Sequence, residues 1–176
     1  MKKILTIVIA MLAFAASAQK VEARFTESKF IKATGKTLEA EGTLKLYSAD
    51  KMDMTYTKPA GDYFKIDGKS VSMNMRGKKS VVDTEKNAAV RTQRNTLMNC
   101  INGNWKQAAT DNNAESSVVD KGANKVVTLS AKKTAPRGYS KIIITYRKSD
   151  NLITEMVLEE FNGTVTTIKL SNIVKK

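Results

Sequence analysis

A chain of 176 residues with no histidine and a single cysteine lacks the groups for a Ser-His-Asp or Cys-His triad, a His-ligated catalytic zinc or a Cys-x-x-Cys redox pair. Its formal net charge of +13 suits an anionic partner, either a membrane surface or an acidic client. No metal and no cofactor are expected.

The chain opens with a short positive segment, Met1-Lys2-Lys3, followed by an apolar stretch over residues 4–15 and the small-x-small site Ala16-Ser17-Ala18. That order is the pattern of a secretory signal peptide. A helix that spans a bilayer needs roughly 20 apolar residues, more than this stretch supplies. The expectation is a signal peptide over residues 1–18, cut between Ala18 and Gln19, and a single domain over residues 19–176. Cys100 has no second cysteine to bond, so packing and sheet hydrogen bonds must hold the exported domain together. No cysteine directly follows the apolar stretch, so an acylation site is missing and a freely diffusing monomer is expected. Setting aside Lys2 and Lys3 leaves +11 on the rest of the chain, and export removes nucleic acid as a partner for that charge.

Leu38, Ala40, Gly42, Leu44 and Leu46 alternate with the polar Glu39, Glu41, Thr43 and Lys45, which predicts a half-buried strand. After Ser48-Ala49-Asp50 the alternation resumes through Met52, Met54 and Tyr56, and Pro59-Ala60-Gly61-Asp62 breaks it. Phe64 and Ile66 lead into Asp67-Gly68, a dipeptide suited to a tight hairpin, and Val71, Met73 and Met75 alternate on the way out. Arg76-Gly77-Lys78-Lys79 turns the chain again, into Ser80-Val81-Val82.

Residues 83–101 change period. Val90, Leu97, Met98 and Ile101 stand at helical spacing, and Asn102-Gly103 ends the helix. Asn104 is placed to cap a second short helix over residues 105–109, with Gln107 completing a capping box. Strands resume at residues 116–119, 125–130, 139–147, 151–161 and 164–172, separated by turns such as Lys148-Ser149-Asp150 and Asn162-Gly163. A meander of roughly nine or ten strands must curl to bury one face. The predicted fold is therefore mainly β with a helical insertion: an incomplete, unclosed antiparallel β-barrel covered by short helices.

Glu159-Glu160 is the obvious carboxylate pair for glycoside hydrolysis, but neighbours on a strand point to opposite faces and cannot flank one bond. No enzyme is expected. Four methionines, Met52, Met54, Met73 and Met75, lie on two predicted strands. Their flexible thioethers suit ordinary core filling and equally a cavity that adapts to apolar guests of variable shape.

Taken in order, the strand Glu41-Gly42-Thr43-Leu44-Lys45-Leu46, the turn Tyr56-Thr57-Lys58-Pro59, the Asp67-Gly68 hairpin, the helix reaching Trp105 and the closing meander over residues 146–172 resemble the periplasmic lipoprotein carrier (LolA) family. Asp50-Lys51-Met52, Gly61-Asp62-Tyr63-Phe64, Arg137-Gly138-Tyr139-Ser140-Lys141 and Glu160-Phe161-Asn162-Gly163 are similar to segments of its Bacteroidetes branch. Arg24-Phe25-Thr26-Glu27 resembles the family's first strand. The resemblance implies a periplasmic chaperone with a helix-covered apolar cavity. The cavity would take the acyl chains of lipoproteins released by an inner-membrane ABC transporter and pass them to an outer-membrane acceptor. In carriers of the family an arginine of an Arg-Pro pair after the early strand holds the lid; Ser48 and Ala49 occupy the matching positions here. The few residues between Gln19 and Arg24 leave no room for the family's leading helix, so a less complete lid is expected.

On this reading Leu44, Leu46, Met52, Met54, Tyr56, Phe64, Ile66, Met73 and Met75 line the concave face and bind acyl chains, with Leu97, Met98, Ile101 and Trp105 capping them. Alternation shows which residues share a face but leaves open which face is concave. A lipid- or lipoprotein-sensing interaction module on the same fold is the alternative, and an envelope adhesin is a third reading.

Overall fold

The computed structural model describes residues 20–135 and 138–176, so the signal peptide, its cleavage site and Arg137 lie outside the described residues. Six strands come first: β1 (Val21–Ile31), β2 (Lys36–Ser48), β3 (Lys51–Lys58), β4 (Tyr63–Asp67), β5 (Ser70–Met75) and β6 (Lys78–Asp83). Two helices follow, α1 (Ala88–Ile101) and α2 (Trp105–Asp111). The chain then adds β7 (Ala114–Lys121), β8 (Asn124–Ala131), β9 (Tyr139–Arg147), β10 (Ile153–Glu160) and β11 (Val165–Lys175). All eleven strands form one sheet in the order β6-β5-β4-β3-β2-β1-β11-β10-β9-β8-β7.

Every neighbouring pair is antiparallel, and the first and last strands meet at the centre of the sheet. β6 and β7 are left as its two edges, so the sheet is curled but unclosed, and the helices bridge from one edge to the other. The sheet has eleven strands against the nine or ten expected, and β6 pairs with β5 along its whole length.

Alternation translates directly into register. Leu44 pairs with Met54, Met54 with Phe64 and Phe64 with Met73, while Leu46, Met52, Ile66 and Val71 form the next row. Across the centre, Glu27 pairs with Ile168, Ile168 with Met156, Met156 with Ile144 and Ile144 with Val127. Rows of one face on consecutive strands thus become one continuous apolar surface, with Glu27 as its acidic member. Phe25, Gly42 and Tyr56 are likewise in register. The Phe25 and Tyr56 rings meet edge to face with centroids 5.0 Å apart, over a glycine that leaves them room.

Two expectations about the helices need correction. The first helix begins at Ala88, not at residue 83, because Asp83 still pairs with Ser70 and Thr84 is buried. Thr84 holds the chain extended by donating its N–H and Oγ1 to the Lys69 carbonyl at 2.9 and 2.8 Å. Asn87 then caps the helix by accepting the Val90 N–H at 3.1 Å. The second helix continues to Asp111 and has no capping box: the Asn104 side chain makes no cap hydrogen bond, and Gln107 Nε2 donates to Asp111 Oδ1 at 2.7 Å instead.

Candidate functional site

The inner face of the sheet and the underside of α1 enclose a partly open, mainly apolar cavity of about 180 Å³. Met54, Tyr56, Phe64 and Val71 form its wall on one half of the sheet, and Tyr139, Leu158 and Ile168 on the other. Val90, Gln93, Arg94, Thr96 and Leu97 of α1 form the roof, and Glu27 completes the wall. A narrow extension of about 10 Å³, room for a single water, continues among Leu44, Met54, Leu97, Ile101, Ile153, Met156, Ile168 and Leu170.

Of the residues singled out in the sequence, Met54, Tyr56, Phe64 and Leu97 border the cavity, and Leu44 and Ile101 border its extension. Leu46, Met52, Ile66 and Met98 are buried in the packed remainder of the interior. Met73 and Met75 are half-buried and pack against that core. Trp105 is half-buried and packs against the core, but it lies outside the cavity lining, beside Asn99, Gly103, Asn104, Lys106 and Gln107. Gly103, at φ +79°, turns the chain at the end of α1 and carries Trp105 away from the cavity. Tyr139, Leu158 and Ile168 stand on strands that the sequence predicts, but local pattern does not mark them as wall residues, nor Glu27, Gln93, Arg94 or Thr96; Val71 shares the Met73 alternation and Val90 the helical spacing.

The polar groups of the wall are unevenly satisfied. Tyr56 donates its hydroxyl to Glu27 Oε2 at 3.0 Å; burial, with the Glu27 charge beside it, pushes the Tyr56 ionisation well above the ordinary phenol range. Arg94 donates Nη1 to Asn95 Oδ1 at 2.9 Å, while its Nε is buried without a partner among the described residues.

A family model described as the outer membrane lipoprotein carrier protein LolA matches residues 16–176. The chain belongs to the LolA family. Solved structures with which it aligns include a LolA superfamily protein from Nitrosomonas europaea, at 8% identity, 90% of this chain, 87% of that chain and TM-score 0.42. A putative outer membrane lipoprotein-sorting protein domain from Vibrio parahaemolyticus aligns at 10% identity, 89% and 85% coverage and TM-score 0.39. The MucA/MucB complex of Pseudomonas aeruginosa aligns at 7% identity, 89% of this chain but 52% of that chain, and TM-score 0.49. A comparison with curated proteins finds no match.

Ser48 Oγ, at the end of β2, donates to Asp50 Oδ1 at 2.6 Å and stays within the turn that follows. The tie between that turn and the helix runs the other way: Asn102 Nδ2, at the end of α1, donates to the Ala49 carbonyl at 3.2 Å. A second tie joins the Tyr146 hydroxyl of β9 to the Cys100 carbonyl at 2.7 Å, fully buried. Asn112 Nδ2 donates to Thr96 Oγ1 at 2.7 Å and fastens α2 to α1. Among the described residues no side chain from residues 88–95 hydrogen-bonds to a strand. The C-terminal half of the roof helix is therefore anchored by directional side-chain bonds, whereas its N-terminal half is hydrogen-bonded to the sheet only through the chain before it, where Thr84 bonds to Lys69. The Cys100 thiol is fully buried and pushed up to about 12 by burial, so it stays protonated and serves as a small apolar filler.

Proposed function

We propose that this LolA-family protein is a non-enzymatic periplasmic chaperone that takes the acyl chains of lipoproteins into the cavity beneath α1 and carries them from the inner to the outer membrane. The observation that carries this reading is the apolar cavity between an unclosed sheet and a helix anchored at one end. Each CH₂ hidden from water is worth about 0.8 kcal/mol, so a sheltered acyl chain gains enough to stay in solution. A space of about 180 Å³ is below the roughly 300–1,000 Å³ of pockets that enclose drug-sized ligands. Loading therefore requires the weakly held half of α1 to lift, with the thioethers of Met52, Met54, Met73 and Met75 refitting around the chains. Leu44, Leu46, Tyr56, Phe64, Ile66, Leu97, Met98 and Ile101 would border the enlarged space.

An inner-membrane ABC transporter would supply the cargo and an outer-membrane acceptor would receive it, the carrier acting as a monomer. Native mass spectrometry after gentle extraction should find acylated peptide bound. Depletion of the protein should leave lipoproteins in the inner membrane. A consistently empty protein, with lipoprotein distribution unchanged on depletion, would overturn the proposal. A lipid-loaded protein whose loss leaves distribution unchanged would instead favour the sensing module.

A further inference from the structure

In the meander, the β1–β2, β3–β4, β5–β6, β8–β9 and β10–β11 connections share one end of the sheet. Lys32 stands in the first of these, Arg76, Lys78 and Lys79 in and just after the third, and Lys132 and Lys133 in the fourth. All six are exposed, and none forms an ion pair among the described residues. Carboxylates also stand at this end: Asp62 is buried and accepts the Arg76 N–H at 2.8 Å, and Glu160 is half-buried and accepts from Asn162 Nδ2 at 3.1 Å. Asp111 and Glu115, both exposed, flank the α2–β7 connection, so the six cations outnumber these acids. The opposite end also carries exposed cations without an ion pair among the described residues, Lys86 and Lys121 among them, but most of its charges are paired, through Lys51–Asp67, Lys69–Glu85, Lys148–Asp120 and Arg147–Asp150.

We infer that the basic end is a docking surface for an anionic lipid bilayer. The charges reach from the β5–β6 turn to the β8–β9 connection. With strands about 4.8 Å apart, that is roughly 40 Å measured along the curved sheet. So wide a distribution fits a broad anionic surface better than a short acidic peptide. Phe30, next to the end of β1 at the same rim, is 40% exposed and supplies an aromatic side chain suited to the headgroup level. At physiological salt the attraction fades beyond about 8 Å, so it acts only when this end approaches the membrane, and it orients the molecule. The cavity lies in the same half: Glu27, Tyr56, Phe64, Tyr139 and Leu158 stand on the strand halves that lead to these connections. The docking surface is independent of the carrier reading, since it is measured on the protein without cargo.

The test is co-sedimentation of the protein with mixed phosphatidylethanolamine and phosphatidylglycerol vesicles, against vesicles of phosphatidylcholine alone. Binding is expected to the anionic vesicles only and to weaken with added salt. The pair Lys78→Glu with Lys132→Glu should lower partitioning about tenfold or more. Lys86→Glu with Lys121→Glu changes net charge equally at the opposite end, and should leave partitioning close to that of the unaltered protein. Equal losses from both pairs would show a response to net charge alone and overturn the assignment. So would binding of a soluble poly-aspartate peptide by a protein that leaves anionic vesicles unbound. Circular dichroism on each pair checks that the fold is retained.

Discussion

Gly42 is the point at which the inner face tolerates only hydrogen. A Cβ there would run into the Thr55 carbonyl oxygen and stand 2.8 Å from the Phe25 ring, in a region where Phe25 and Tyr56 already fill the space. Gly42→Ala should lower stability by about 1–3 kcal/mol, the range for overpacking a filled core, read as a lower urea midpoint at unchanged slope. Arg94 presents the reverse case. Its Nε is buried without a partner on the roof of an apolar cavity, and a donor left unmade in such a place costs about 1–3 kcal/mol. Arg94→Met keeps the length of the side chain, removes the donor and should raise the melting temperature by the equivalent of about 1 kcal/mol. A drop in melting temperature would mean that the guanidinium is better satisfied than its geometry indicates. Neither position was legible in the sequence: Gly42 read as one small residue in an alternating strand, and Arg94 as one polar residue among several on a helix.

Local periodicity made the inner strands readable because they bury one face, which forces a period of two; the edge strands β6 and β7 are exposed along almost their whole length. Residues 139–147 were anticipated to the residue as β9, and the end of α1 at Asn102-Gly103 followed from its cap. What local pattern could not carry was contact across the sheet. Tyr139, Leu158 and Ile168 face Met54 and Phe64 over the cavity only because eleven strands curl, and curvature is a property of the whole sheet. The ties that anchor α1 are of the same kind, joining residues 46 and 53 positions apart. Each is a single hydrogen bond worth about 1 kcal/mol. Tyr146→Phe and Asn102→Ala should each accelerate amide exchange over residues 96–102 several-fold, while the central strands β1 and β11 keep their protection. Uniform acceleration across the sheet would show that the ties hold the whole fold and not one end of the helix.

At the scale of the molecule, the interior is packed at one end and hollow at the other, and two measurements separate these halves. The packed half holds Cys100 and Tyr146, the hollow half Tyr56 and Tyr139. Burial raises the ionisation of all four, to about 12 for Cys100 and Tyr139. In the unfolded chain the thiol ionises at 9.0 and the phenols at 10.0. The folded state binds the protons more tightly, so the stability these groups contribute is complete below pH 9 and is lost as pH rises from 9 towards 12. Melting temperature should therefore fall across that window, and less steeply in Tyr146→Phe. Acyl binding depends instead on the hollow half. Leu158→Phe adds ring atoms where about 180 Å³ is empty, and filling a cavity commonly stabilises by about 0.5–2 kcal/mol. The variant should melt higher than the unaltered protein and yet take up a fluorescent fatty-acyl probe less well, because the space a chain would enter first is occupied. Higher stability with undiminished uptake would place the chain elsewhere. Lower stability would show that the wall is packed too tightly for a ring, and the smaller step Val90→Leu would then fill the same space from the roof.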